Sequence, residues 1–165
     1  MDTSAIVGWS QFFVAAAGAA AALAGLVFVA LSINLDRIIG LRGVSGRAAE
    51  TIVLLAGALC GSLVALVPRL SAVQLGALLL LVTLPTWAIP VVIQRRAAKT
   101  DTSHRSWLSL LHTVSHQVAA LPGIVASLSL FGLVPGGIGW FALGVIASIL
   151  VALLNAWVLL VEILR

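Results

Sequence analysis

His112 and His116 stand one helical turn apart in HTVSHQ, residues 112–117, within a stretch from Trp107 to Val134 that holds no Lys, Arg, Asp or Glu. An imidazole so placed can relay a proton or contact an ion, because its unperturbed pKa of about 6.5 is moved across working pH by modest changes of environment. With Gln117 next in the chain and Asn155 on a later segment, the two rings are candidates for a polar pocket inside a membrane. Asn34, Asp36, Glu50 and Glu162 fall closer to segment ends and are expected at the cytoplasmic mouth of that pocket. A simpler reading keeps the imidazoles neutral and hydrogen-bonded to Asn155, Ser109 or a carbonyl of a neighbouring helix, which costs little once a partner is present. The sequence favours the simpler reading and leaves the relay open.

Other chemistries fit less well. Two His at i and i+4 can share a zinc ion when further ligands come from elsewhere, but HTVSH lacks the Glu that follows the first His in the zinc hydrolase motif. Bis-histidine haem ligation needs rings on opposite sides of the macrocycle, which one helical face cannot supply. The sequence holds no nucleophile beside a base and no phosphate-binding glycine loop. No metal, no cofactor and no enzymatic activity are expected.

The elements that must position these residues follow from composition. The 165 residues are 62% hydrophobic and 8% charged, with a mean hydropathy of +1.22, whereas soluble domains carry about a quarter charged residues. A helix needs about 20 mostly apolar residues to cross the hydrocarbon core. Five segments qualify: 9–35, 48–67, 71–93, 107–134 and 137–164. The expected fold is an all-α membrane bundle of five transmembrane helices in a single domain. Translocation of Lys and Arg is disfavoured, so loops rich in them are cytoplasmic. Arg37, Arg42 and Arg47 follow span one, Arg95, Arg96, Lys99 and Arg105 follow span three, and Arg165 ends the sequence. All lie on one side if the N-terminus is outside, with only Arg69 opposite. The first basic residue comes after span one, so span one is expected to be retained and not cleaved as a signal peptide. The net charge of +4 comes from scattered basic residues near the membrane surface, which suit anionic lipid headgroups and not nucleic acid.

Membrane helices pack through small residues and interhelical hydrogen bonds. Span one, rich in Ala and Gly, presents Gln11, Ala15, Gly18, Ala22, Gly25, Val29 and Ser32 at helical spacing and is expected at the centre of the bundle. Gly57 and Gly61 with Glu50 mark the packing face of span two. Gly144, Ser148, Ala152 and Asn155 mark that of span five, and His112, His116, Ala120, Gly123 and Ser127 that of span four. Cys60, mid-span, is read as a small packing residue. Pro85 and Pro90 remove backbone donors from span three, as Pro122 does in span four. Span three is therefore expected to be kinked or partly unwound, with Thr83 and Thr86 satisfying freed carbonyls.

AAALAGLVFVALSINLDRI followed by GRAAETIVLLAGALCGSLVALVP resembles a family of small uncharacterised integral membrane proteins of actinobacterial type. The resemblance covers mainly spans one and two. It implies a bacterial plasma membrane location and no particular activity. The residues lead first to a homo-oligomeric pore or ion-conducting channel, with pH sensitivity as one form of it. The alternatives are an accessory or regulatory subunit of a larger membrane complex, and a lipid or quinone binder in which HTVSHQ meets a headgroup.

Overall fold

The computed structural model describes residues 8–35, 44–100 and 107–164, and only the backbone of residues 44, 97–100, 107–109, 160 and 162–164. Five helices follow in order: α1 (Ser10–Ile33), α2 (Val44–Ala65), α3 (Ala72–Thr100), α4 (Trp107–Leu130) and α5 (Gly139–Leu164), with no strand among the described residues. Each is long and apolar enough to cross a membrane, and the protein is read as a multi-pass membrane protein. The start of α2, with Arg47, and the end of α3, with Arg95, Arg96 and Lys99, lie at one end of the bundle, the basic end. The tight connections α2–α3 and α4–α5 lie at the other, the hairpin end.

Local chemistry builds the hairpin end. Ser71 and Gln74 exchange hydrogen bonds, Ser71 N to Gln74 Oε1 at 3.0 Å and Gln74 N to Ser71 Oγ at 3.3 Å. This is a capping box that satisfies donors left free by the first turn of α3. α4 ends at Gly132, whose φ of 83° suits a residue without Cβ. The bonds Gly132 N to Ser129 O and Leu133 N to Leu128 O make the terminus a Schellman motif. The buried Ser129 hydroxyl then donates to Val134 O at 2.7 Å and accepts from Gly137 N at 2.6 Å, drawing the connection back onto the helix.

α2, α3, α4 and α5 form a closed ring in which each packs against its neighbours, α2 and α5 completing the circle. α1 lies outside the ring, mainly against α2. This corrects the central position expected for span one. Its protein-facing side is Phe13, Ala16, Ala20 and Val27, while Gln11, Ala15, Gly18, Ala22, Gly25, Val29 and Ser32 are all exposed. A Cβ on Gly18 or Gly25 would meet nothing within 4 Å. The central helix is instead α2, 56% of whose most apolar window is buried, against 22% for α1.

Three glycines of the ring sit at close contacts. A Cβ at Gly57 would strike the Thr86 side chain and one at Gly61 the Phe141 ring. At Gly144 it would lie 3.2 Å from Gly123 N and 3.3 Å from Pro122 Cβ. Cys60 departs from expectation: it is exposed on the outer side of α2. α3 is not unwound: it remains helical through Pro85 and Pro90, as α4 does through Pro122.

Near each proline a carbonyl of the preceding turn takes a side-chain hydrogen bond. A proline ring displaces the preceding turn and weakens its carbonyl bonds. In all three cases the carbonyl three residues earlier accepts a side-chain bond: Val82 O from Thr86 Oγ1 at 2.8 Å, Trp87 O from His116 Nε2 at 3.4 Å, and Ala119 O from Ser148 Oγ at 3.3 Å. Thr86 bonds the carbonyl one turn back, although the carbonyl that Pro85 leaves without its N–H partner is Leu81 O. Thr83 does not, since its hydroxyl has no partner among the described residues.

Candidate functional site: a polar column inside the ring

Glu50 lies six residues into α2, about 9 Å along the axis at 1.5 Å per residue, and is 3% exposed. A buried carboxylate needs a charged or hydrogen-bonding partner. His112 Nε2 of α4 approaches Glu50 Oε2 to 3.0 Å, and Gln94 Nε2 of α3 donates to the same oxygen at 3.4 Å. The imidazole contact is close in distance but poorly aligned for a hydrogen bond. It is best described as an electrostatic contact, which becomes a full ion pair when the ring is protonated. Three helices thus converge on one carboxylate, which the sequence places only at a mouth.

One turn further along α4, His116 is 1% exposed. With its proton on Nε2 it donates to Trp87 O and presents Nδ1 as an acceptor that no described group meets. Gln117 faces the same helix, its Oε1 accepting from Trp87 Nε1 at 2.8 Å. Trp87 therefore links both residues to α3, a role invisible in the sequence because the partners lie about thirty residues apart. Beside His116, Leu54, Ala119 and Val151 form an apolar layer between α2, α4 and α5. Asn155, one turn beyond Val151, is buried at the level of Glu50 and His116, which stand about one turn from Leu54 and Ala119 respectively.

Beyond that layer, midway through the bundle, all four ring helices line a cavity of about 20 Å³. Thr83 and Thr86 of α3, Ser148 of α5, and the glycines Gly57, Gly123 and Gly144 surround it. Phe141 closes it toward the hairpin end, with Leu75, Leu79, Leu130, Val145 and Phe13 in the same apolar cluster. The Phe13 and Phe141 rings lie 5.6 Å apart by centroid. The ionisable groups Glu50, His112 and His116 of the interior lie in the half nearer the basic end, whereas toward the hairpin end the buried polar groups are the hydroxyls of Ser62, Ser127 and Ser129 in the surroundings of the Phe141 cluster.

The remaining expected residues are not drawn into this column. Asn34 is half-buried, donates to Ala30 O at 2.9 Å, and lines a separate apolar cleft of about 210 Å³ between α1, α2 and α5. None of residues 112–117 lines that cleft. The sequence expectation of HTVSHQ meeting a headgroup in an open cleft is therefore not met there. Asp36, Arg37, Arg42, Arg105 and Arg165 lie outside the described residues, as do the side chains of Lys99, Ser109 and Glu162. Arg95 and Arg96 are exposed at the basic end. No group of three or more His, Cys, Asp or Glu able to hold a metal ion occurs among the described residues.

No family model, curated protein or solved structure matches this chain. The reading of the site rests on its own geometry.

Proposed function

We propose that the protein conducts protons across a membrane through the interior of the α2–α5 ring. The observation that carries this reading is the buried meeting of Glu50, His112 and Gln94, an acid and a base from different helices inside the apolar span. Ionisable groups are costly within a membrane and mark proton or ion pathways. His116, Thr86, Ser148 and the axial cavity continue polar groups to the middle of the bundle. The Phe141 cluster beyond them is a gate of the kind that opens by wetting an apolar constriction. A cavity of about 20 Å³ is too small for a hydrated metal ion, which favours protons over a wide ion pore.

In this reading the basic end faces the cytoplasm of a bacterial cell, as the Lys and Arg bias requires. Arg95 and Arg96 there meet anionic headgroups. The test is purified protein in liposomes containing a pH-sensitive dye, with an imposed membrane potential. Proton uptake above that of empty vesicles is expected, and its loss in a folded Glu50→Gln variant. Folded wild-type protein that passes no protons removes the reading.

Association of copies through α1 belongs to the same proposal. The exposed Ala15, Gly18, Ala22 and Gly25 form a face on which a second helix can approach closely. In a Cys60→Ser background, Gly18→Cys or Gly25→Cys should give disulfide-linked dimers in membranes. Monomer alone from both variants contradicts association through this face.

A further inference from the structure

The axial cavity has properties that the conduction reading does not require. Thr83 is 6% exposed, lines the cavity, and its hydroxyl has no partner among the described residues. A threonine in a helix ordinarily satisfies its hydroxyl on the carbonyl one turn back, as Thr86 does with Val82. Thr83 is held away from that arrangement by close packing, its methyl lying where a Cβ on Gly123 would fall.

Two further hydroxyl-bearing residues, Thr86 and Ser148, line the same space. Thr86 Oγ1 and Ser148 Oγ have committed their protons to Val82 O and Ala119 O, so toward the cavity both can act only as acceptors. One donor and two acceptors surround a volume of about 20 Å³. A buried water needs roughly 10–15 Å³ and two to four polar partners.

We propose that this cavity is a binding site for a single water molecule, accepting from Thr83 Oγ1 and donating to Thr86 Oγ1 and Ser148 Oγ. The site is built by all four ring helices and requires small residues at Gly57, Gly123 and Gly144 to leave room for it. It joins α3 to α5, helices that are not neighbours in the ring. The assignment stands whether or not the protein conducts, because its occupancy is read without any flux measurement.

The experiment is water-edited solid-state NMR of the full-length protein in bilayers, following transfer from water to the Thr83 side chain. Transfer to Thr83 is expected, well above that to the buried Leu79 one turn away, and unchanged when sodium or potassium replaces choline as the only cation. No transfer above the Leu79 level overturns the proposal. Transfer that depends on the cation overturns it in favour of a bound ion. Thr83→Val supplies a second readout of opposite sign for the two states of the cavity. With water present the variant loses a hydrogen bond and its unfolding midpoint falls. With a dry cavity it sheds an unpaired hydroxyl at constant shape and the midpoint rises, which also overturns the proposal.

Discussion

Replacing His112 with Leu leaves the Glu50 carboxylate buried without the imidazole, with the Gln94 contact still in place at 3.4 Å. Replacing Glu50 with Met removes the charge and strands the polar ends of His112 and Gln94. Breaking a buried pair from one side costs about 3–5 kcal/mol in soluble proteins. Interhelical hydrogen bonds within membranes average only about 0.6 kcal/mol and reach about 1.7, because the unfolded helices also find partners in the bilayer. The 3.0 Å approach and the 3% exposure of Glu50 put this contact at the upper end of that range, whereas its imperfect alignment keeps it from exceeding it. A double-mutant cycle should therefore yield a coupling of about 1.5 kcal/mol. The double variant is then less destabilised than the sum of the single ones. Reversible unfolding in mixed micelles, titrated with a denaturing detergent, measures all four corners. Additivity within about 0.5 kcal/mol would refute the claim that the two side chains act as a unit.

Three further outcomes follow from the packing. Gly144→Ala pushes a methyl against backbone atoms of α4 and should cost about 1–3 kcal/mol, whereas Gly18→Ala, with open space around it, should be neutral or slightly stabilising in the monomer; unfolding midpoints compare the two. Ser129→Ala removes the two side-chain hydrogen bonds that the Ser129 hydroxyl makes to the α4–α5 connection. Amide exchange at Gly137 should rise by at least tenfold, and unchanged exchange contradicts the role given to the hydroxyl. Phe141→Ala opens the apolar closure above the axial cavity and should raise proton flux in liposomes, at a stability cost of about 3–5 kcal/mol. A folded variant with unchanged flux argues that the closure lies elsewhere.

The helices were legible because length and apolarity alone define a membrane span. The faces of α2, α4 and α5 were legible because Gly, Ser and His there contrast with the Leu, Val and Ile around them. α1 offers no such contrast. Every side of AAAGAAAALAG is small, so spacing alone chose the wrong side, while the true one was marked by Phe13, Ala16, Ala20 and Val27 at helical intervals. The sequence places Glu50 only at a mouth because its partners, Gln94 and His112, come from other helices far along the chain. The prolines lead to an expected kink or local unwinding, and the side-chain bonds beside them are hidden for the same reason: two of the three donors come from a different helix than the carbonyl they meet. The capping box at Ser71 and Gln74 was readable as S-x-x-Q before an apolar run.

The most direct test compares proton flux in liposomes containing only wild-type protein with flux through Glu50→Gln, each shown to be folded and inserted to the same extent. The account predicts uptake in the wild type and a return to the level of empty vesicles in the variant. Equal flux through both, or none through either, would contradict a proton path that begins at Glu50 and His112.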